Sequence, residues 1–223
     1  RAVRSRVKRA WDVLLPGVPI PIRLPWGGWW LATSDVCSTG IFLGTYEDRE
    51  RRFVDRFLKP GMTVLDIGAH HGFYTLLAAK KVGPCGRVVA FEPSPRERKR
   101  LIRHVRLNRC KNVQVEGFAL AARQGEMQLF VVRGRDTGLN SLRPPATRAA
   151  TRLVRVDAVT LDGYLASAGI DKVDFVKLDA EGAELEILTG AQRTLGRRPR
   201  PVILCEVSDL RAAPFGHTAQ DLL

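Results

Sequence analysis

The chain has 223 residues, 45% of them hydrophobic and 26% charged, with a formal net charge of +13. That balance excludes disorder or low complexity for the bulk of the chain and suits one well-buried domain. The surplus charge is confined to the first half, where residues 1–111 carry 22 basic and 9 acidic side chains against 14 of each in residues 112–223. Such asymmetry makes an anionic partner, nucleic acid or a membrane surface, a candidate without bearing on the fold. Cys37, Cys85, Cys110 and Cys205 form no C-x-x-C pair or Cys/His cluster and read as reduced thiols. No stretch offers the roughly 18 uninterrupted apolar residues of a spanning helix. Val13 to Ala32 comes nearest and contains Arg23 and four prolines. Arg1 opens the chain and no signal-peptide pattern follows, so a processed or incomplete sequence of a cytoplasmic protein is expected.

In chain order, residues 1–15 pair Arg4, Arg6, Lys8 and Arg9 with Val3, Val7, Trp11, Leu14 and Leu15, the spacing of a basic amphipathic helix. Peripheral membrane contact is one reading of that segment, and a helix lying on the domain or fraying in solvent is the other. Prolines and glycines exclude helix from Pro16 to Gly28; Ile20 to Leu24 and Trp29 to Ala32 read as short strands. Tyr46 to Leu58 has helical apolar spacing closed by Lys59-Pro60-Gly61. From there the pattern alternates: strand Met62 to Ile67, helix Phe73 to Lys81, strand Arg87 to Phe91, helix Pro95 to Asn108, strand Val113 to Glu116. An interruption between Glu126 and Val156 predicts an inserted hairpin over the site. The alternation resumes with helix Leu161 to Ala168, strand Val173 to Leu178, helix Ala183 to Leu188 and strand Pro201 to Val207. This is the doubly wound α/β plan, a Rossmann-like, mostly parallel sheet whose ligand sites lie at the carboxyl ends of the strands. Residues 1–45 form an N-terminal extension and 46–223 the main domain.

Asp66-Ile-Gly68-Ala69-His70-His71-Gly72 sits where the first core strand meets its helix. Glycine there permits a tight turn and close backbone approach, and the helix offers free N–H groups. Neither a dinucleotide fingerprint nor a P-loop is present. A second acid, Glu92, ends the next strand and can accept hydrogen bonds from both hydroxyls of a ribose. The implied cofactor is a nucleoside without pyrophosphate, and S-adenosylmethionine fits.

Val64 to Thr75, Phe91-Glu-Pro-Ser-Pro95, Asn140-Ser-Leu142, Thr160-Leu-Asp162 and Asp174 to Glu186 resemble the FkbM-type family of class I S-adenosylmethionine-dependent methyltransferases. The resemblance runs from about Gly40 to the C-terminus and implies O-methylation of a hydroxyl on a sugar, glycolipid or other secondary metabolite. It departs at His70, where the family usually has Asn; the backbone geometry carries over and the Asn side-chain contact does not. The resemblance implies that Asp66, Gly68, Ala69, His70 and Gly72 hold the methionine end and loop, Glu92 the ribose, and Phe118 and Ala119 the adenine. A complete sheet of this class has seven strands. Phe215 to Leu223 reads as the start of a fifth helix, so the closing hairpin is expected to be missing.

Asp179 and Glu181 close the fourth strand, opposite the first across the switch point, where an acceptor must approach the methyl group. Asp179 is the first candidate for the base or orienting group, Glu181 the second, and Glu206, ending the fifth strand, the third. Asp179 also borders the cofactor. Glu47, Asn140 and Ser141 are candidate substrate contacts. Lys177 is either paired with one of these acids or reaches an edge. Glu97 reads as a partner on a solvated helix face, and the acids near the cleft leave a divalent metal undecided. The basic helix Arg96, Arg98, Lys99, Arg100, Arg103, Arg106, Arg109 keeps an RNA methyltransferase open as an alternative and suits an anionic acceptor. A third reading is a non-catalytic cofactor-binding domain.

Overall fold

The computed structural model describes residues 2–15 and 17–222, with side chains from Ser5 onward. A first helix, α1 (Ala2–Leu14), leads into the antiparallel pair β1 (Ile20–Arg23) and β2 (Trp29–Ala32). Helix α2 (Val36–Leu43) follows, started by Asp35, whose carboxylate accepts the Ser38 N–H at 2.8 Å, and stopped by Gly44 at φ +70°. Sequence spacing did not point to α2, because eight residues with Ser38, Thr39 and Gly40 at their centre show no 3.6 period; its cap residues were the available signal.

The core elements are α3 (Asp48–Phe57), β3 (Thr63–Ile67), α4 (Phe73–Val82), β4 (Arg87–Phe91), α5 (Pro95–Leu107) and β5 (Val113–Glu116). A short β6 (Ala119–Leu120) precedes the long strands β7 (Gly125–Val132) and β8 (Thr151–Val159). Then come α6 (Leu161–Ser167), β9 (Phe175–Leu178), α7 (Glu184–Thr189), α8 (Gln192–Gly196), β10 (Val202–Cys205) and α9 (Asp209–Ala212).

The central sheet runs β10-β9-β3-β4-β5, all parallel. Its middle strands are apolar on both faces because helices cover both: β9 is buried at all four positions, and β3 and β4 at all but their first. One face packs Leu65, Val89, Val176 and Leu178 against Tyr164, Leu165 and Ile187. The other packs Val64, Val88 and Phe175 against Leu76 and Leu77 of α4 and Trp30 of the N-terminal hairpin. The extension therefore shares a core with the main domain.

The expected insertion is an antiparallel β7–β8 pair, joined by β6 into a separate three-stranded sheet, with Phe130 and Ser141 bridging so that the connecting loop folds back over the sheet. At the C-terminal side, Phe215 onward does not form the expected helix. Two 3-10 turns, Ala213–Phe215 and Ala219–Leu222, stand there, separated by Gly216 at φ +83°, and Leu223 lies outside the described residues.

Candidate active site

The carboxyl ends of β3, β4, β9 and β10 converge on two cavities that share Gly68, His70, Thr137, Gly138, Asp179 and Glu181. One is a narrow slot between Phe91, Phe118, Ala119, Leu129, Leu142 and Ile187, with Glu92 at its side. The other, of about 290 Å³, carries most of the charged groups and is lined by Glu47, Asp66, Ala69, Lys177, Glu206 and Arg211 among others. A larger groove of about 900 Å³ lies at the opposite end of the strands among Lys80, Arg87, Arg109 and Lys111, away from the strand ends where doubly wound sheets bind ligands.

Gly68 makes the crossing between β3 and its helix. Its φ is +78°, and a Cβ there would lie 1.7 Å from the Asp179 carbonyl oxygen, so only glycine lets the loop pass the end of β9. The Gly68 and Ala69 N–H groups both donate to the Phe91 carbonyl at 3.0 Å, and the His70 N–H donates to Glu92 Oε2 at 2.7 Å. Glu92 Oε1 accepts the Ser94 N–H at 2.8 Å. Each carboxylate oxygen keeps a lone pair, so Glu92 is fixed without being used up. Burial, reinforced by the charge of Glu97, pushes the Glu92 carboxyl up to about 8. Gly72 stands behind the loop against Leu101 and lines neither cavity.

Glu97 is fully buried, accepting from the Ser94 hydroxyl and from Arg96 Nε at 2.5 Å. The reading of a solvated helix face fails there because Ser94 and Arg96 fold over the carboxylate. Arg98 donates to the Glu92 and Pro93 carbonyls at 2.8 Å, and Arg100 pairs with Asp35 at 2.9 Å. Much of the basic helix is therefore engaged inside the fold.

Asp66 is buried and accepts the Thr75 hydroxyl at 2.5 Å. Burial raises its carboxyl to about 6 although Thr75 and Lys177 oppose the shift. Lys177 itself is buried; its Nζ donates to Asp179 Oδ2 at 3.2 Å and lies 5.3 Å from the Tyr74 ring centroid, which settles its partner. Burial works to raise Asp179, but Lys177, a hydrogen bond with Glu206, and Arg211 outweigh it and hold Asp179 below the ordinary carboxylate range. Glu206 moves the other way, to about 7, through burial and the charge of Asp179. The pair thus keeps its negative charge on Asp179 and the more basic site on Glu206.

Glu181 sits at φ +52°, an unfavourable conformation for a non-glycine residue, and is held by the Ser141 hydroxyl on its carbonyl at 2.8 Å and by Arg211 Nε on its carboxylate at 2.9 Å. Burial, then Asp179, raises its carboxyl to about 8. Arg211 also reaches Glu206. Glu47 accepts the Tyr74 hydroxyl at 2.7 Å, and Asn140 Oδ1 accepts the Val132 N–H at 2.9 Å. Asn140, Ser141, Phe118 and Ala119 line the slot, and Glu47 and Glu206 the wider cavity. Tyr74, Thr137 and Arg211 were not singled out by sequence, since contacts between residues far apart in the chain leave no local pattern.

His70 Nε2 meets Thr137 Oγ1 at 2.9 Å, and burial lowers the imidazole to about 4, which leaves it neutral at pH 7. His71 is fully buried and stacks on His70, ring centroids 3.6 Å apart, with neither ring nitrogen hydrogen-bonded. His70, His71 and Glu97 bring ligating atoms within 4.8 Å of one another. Glu97 is already engaged by Ser94 and Arg96, and in the wider cavity Asp179 is paired with Lys177, and Glu181 and Glu206 with Arg211.

These residues fit S-adenosylmethionine. The apolar slot suits a purine, Glu92 offers free lone pairs to ribose hydroxyls, and the surplus of carboxylates around Asp66 and Asp179 suits a ligand with sulfonium and ammonium charges. The model of the FkbM methyltransferase domain matches residues 66–222. AmbE, an AMB antimetabolite synthetase of Pseudomonas aeruginosa, is 28% identical over 188 residues, covering 69% of this chain and 9% of that protein. The 2-O-methyltransferase NoeI of Sinorhizobium fredii is 25% identical over 158 residues, covering 65% of this chain and 63% of that protein. The chain therefore spans less than two thirds of either relative. The crystal structure of methyltransferase FkbM from Methylobacillus flagellatus aligns with a TM-score of 0.46 at 17% identity, over 82% of this chain and 47% of that one. By the match over residues 66–222, the chain belongs to the FkbM family of S-adenosylmethionine-dependent methyltransferases.

Proposed function

We propose that the chain methylates a hydroxyl oxygen of an uncharged, hydroxyl-rich acceptor, a sugar, glycolipid or secondary metabolite. The observation that carries this reading is Asp179, an ionised carboxylate at the end of β9 that faces both cavities and is held in place by Lys177. The name of NoeI, a 2-O-methyltransferase, supports oxygen as the target.

Bound S-adenosylmethionine supplies an electrophilic methyl group on a positive sulfur. In the proposed division of labour the slot beside Phe118 and Ala119 takes the adenine, Glu92 the ribose hydroxyls, and Asp66 with the Gly68 loop the methionine end. Asp179 accepts the hydrogen bond of the acceptor hydroxyl, aligns its oxygen for in-line attack and receives its proton. A base held below the ordinary carboxylate range is adequate, because the oxygen becomes strongly acidic as the new C–O bond forms. Glu181 and Glu206, with carboxyls near 8 and 7, stand beside it as hydroxyl partners. Six acids line the wider cavity, Glu47, Asp66, Asp136, Asp179, Glu181 and Glu206, against two cations, Lys177 and Arg211. That imbalance repels an anionic acceptor and favours a neutral one. The internal use of Arg96, Arg98 and Arg100 weakens the case for an RNA backbone as partner.

Titration calorimetry with S-adenosylmethionine separates the roles. Asp66→Ala and Glu92→Ala are expected to weaken binding roughly tenfold or more, as loss of a charged hydrogen-bond partner does. Asp179→Asn should weaken binding less than either of these and lower methyl incorporation roughly 10²-fold or more. Radiolabelled methyl transfer into separate glycan, lipid and RNA pools identifies the acceptor class. Equal loss of cofactor affinity in all three variants, or label in RNA alone, overturns the proposal.

A further inference from the structure

Helix α1 turns its apolar side away from the protein. It packs on α2, yet it is Lys8 that is buried, 3% exposed and paired with Asp12 at 2.6 Å. Val7, Val13 and Leu14 are 52%, 78% and 76% exposed, and the apolar surface continues past the helix through Leu15 and Val18. A helix that docked only on its own domain would bury that stripe. Arg6 and Arg9 stand exposed on the same helix. Arg103 of α5 lines a cavity of about 330 Å³ beside the following turn, together with Gly17, Pro19 and Leu31, and no acid lines it.

The charge around the face decides what covers it. Arg6 and Arg9 on the helix and Arg103 on α5 complement an anionic surface. Lying in the headgroup plane of a bilayer requires only a single apolar face with cations around it. No helix among the described residues is long and apolar enough to cross a membrane, so the contact is peripheral. We propose that α1 and the turn after it dock on an anionic lipid surface, with Val7 and Leu14 inserted and Arg6, Arg9 and Arg103 at headgroup level. Val36 and Cys37 of α2, on which α1 rests, line the wider active cavity. Docking therefore holds that cavity one helix pair away from the membrane and deepens the proposed function: the acceptor hydroxyl belongs to the headgroup of an amphiphile. The acceptor rests on the proposed methyl transfer; the docking does not.

Co-sedimentation of the full chain with phosphatidylcholine vesicles, with and without phosphatidylglycerol, tests it. Binding is expected only with phosphatidylglycerol, falling with added salt because the arginine attraction is screened. Leu14→Asp should weaken it roughly tenfold or more, as should the pair Arg6→Glu with Arg9→Glu. Leu153→Asp, an exposed apolar position on β8, should leave it unchanged. Unaltered S-adenosylmethionine binding by each variant verifies that the fold is intact. No binding to anionic vesicles, equal binding by Leu14→Asp and the parent, or a dimer in light scattering that Leu14→Asp dissolves without any vesicle binding overturns the docking. Vesicle binding without methyl transfer to any lipid leaves the docking standing and removes the amphiphilic acceptor.

Discussion

At Gly68 a single side-chain atom decides whether the cofactor loop can form. Alanine there would place its Cβ inside the Asp179 carbonyl oxygen at φ +78°, so Gly68→Ala is expected to cost more than the ~1–3 kcal/mol of backbone strain alone, read as a lowered midpoint in thermal unfolding. Glu92 makes a second prediction, through its proton. Its carboxyl, raised to about 8, is largely protonated at pH 7, and the ionised form is the stronger acceptor for ribose hydroxyls. Cofactor affinity should therefore rise between pH 7 and 9, with proton release that calorimetry in buffers of different ionisation enthalpy detects and Glu92→Gln abolishes. A flat affinity across that range would exclude Glu92 as the ribose partner. Asp66, Glu92, Asp179 and Glu206 were legible because each ends a strand whose apolar run is plain in the sequence. Lys177 was legible only as an anomaly, an ammonium in a buried strand. Nothing local could have marked Thr137 or Arg211, which reach the site from a long loop and a four-residue helix.

Among the elements, α5 shows how a helix described by its charge works through its neutral residues. His104 Nδ1 meets the His71 carbonyl at 2.8 Å, its Nε2 accepts the Leu31 N–H at 3.1 Å, and its ring stacks on Trp30 with centroids 4.1 Å apart. One turn further, the Asn108 side chain accepts the Trp29 N–H at 2.6 Å and donates to the Trp29 carbonyl at 2.8 Å. Together these two residues extend the β1–β2 pair onto α5 and tie the extension to the cofactor loop. His104→Ala removes two hydrogen bonds and a stacked ring and strands the Leu31 N–H, an expected loss of roughly 2–4 kcal/mol. The urea midpoint measures that loss, and faster amide exchange at Leu31 locates it. Substituting the exposed Arg106 on the same helix should change neither. The long periodic helices and the strands of the parallel sheet were readable from spacing. The short elements α2, α8 and α9, of eight, five and four residues, were not; α6 and α7 are as short and were readable because they fall within the strand–helix alternation.

For the molecule as a whole, two electrostatic tendencies oppose each other. The net charge of +13 and an isoelectric point near 10.3 mean that rising pH relieves self-repulsion and should stabilise the fold. The site argues the reverse: Asp66 at about 6, Glu206 at about 7, and Glu92 and Glu181 at about 8 are all raised by burial. A carboxyl raised in the folded state contributes stability that is complete below its ordinary value near 4 and is lost as pH climbs through the raised one. The cofactor-free protein should accordingly melt lower at pH 8.5 than at pH 5.5, and S-adenosylmethionine should narrow the gap; a rise in melting temperature over that interval would mean that the surface charge dominates. Composition revealed the surface charge and concealed the acidic cavity inside it, since a few carboxylates gathered from Glu47 to Glu206 leave no mark on a sum. The sheet order has a further consequence, in time rather than space. β3 lies between β4 and β9, but β4 begins 20 residues after Ile67 and β9 begins 108 residues after it. At ~5–20 residues per second of synthesis, the β9-facing edge of β3 stays bare for roughly ten seconds in every molecule made. Apolar and open to pairing, that edge is where the nascent chain is most exposed to aggregation and where a holding chaperone has most to protect.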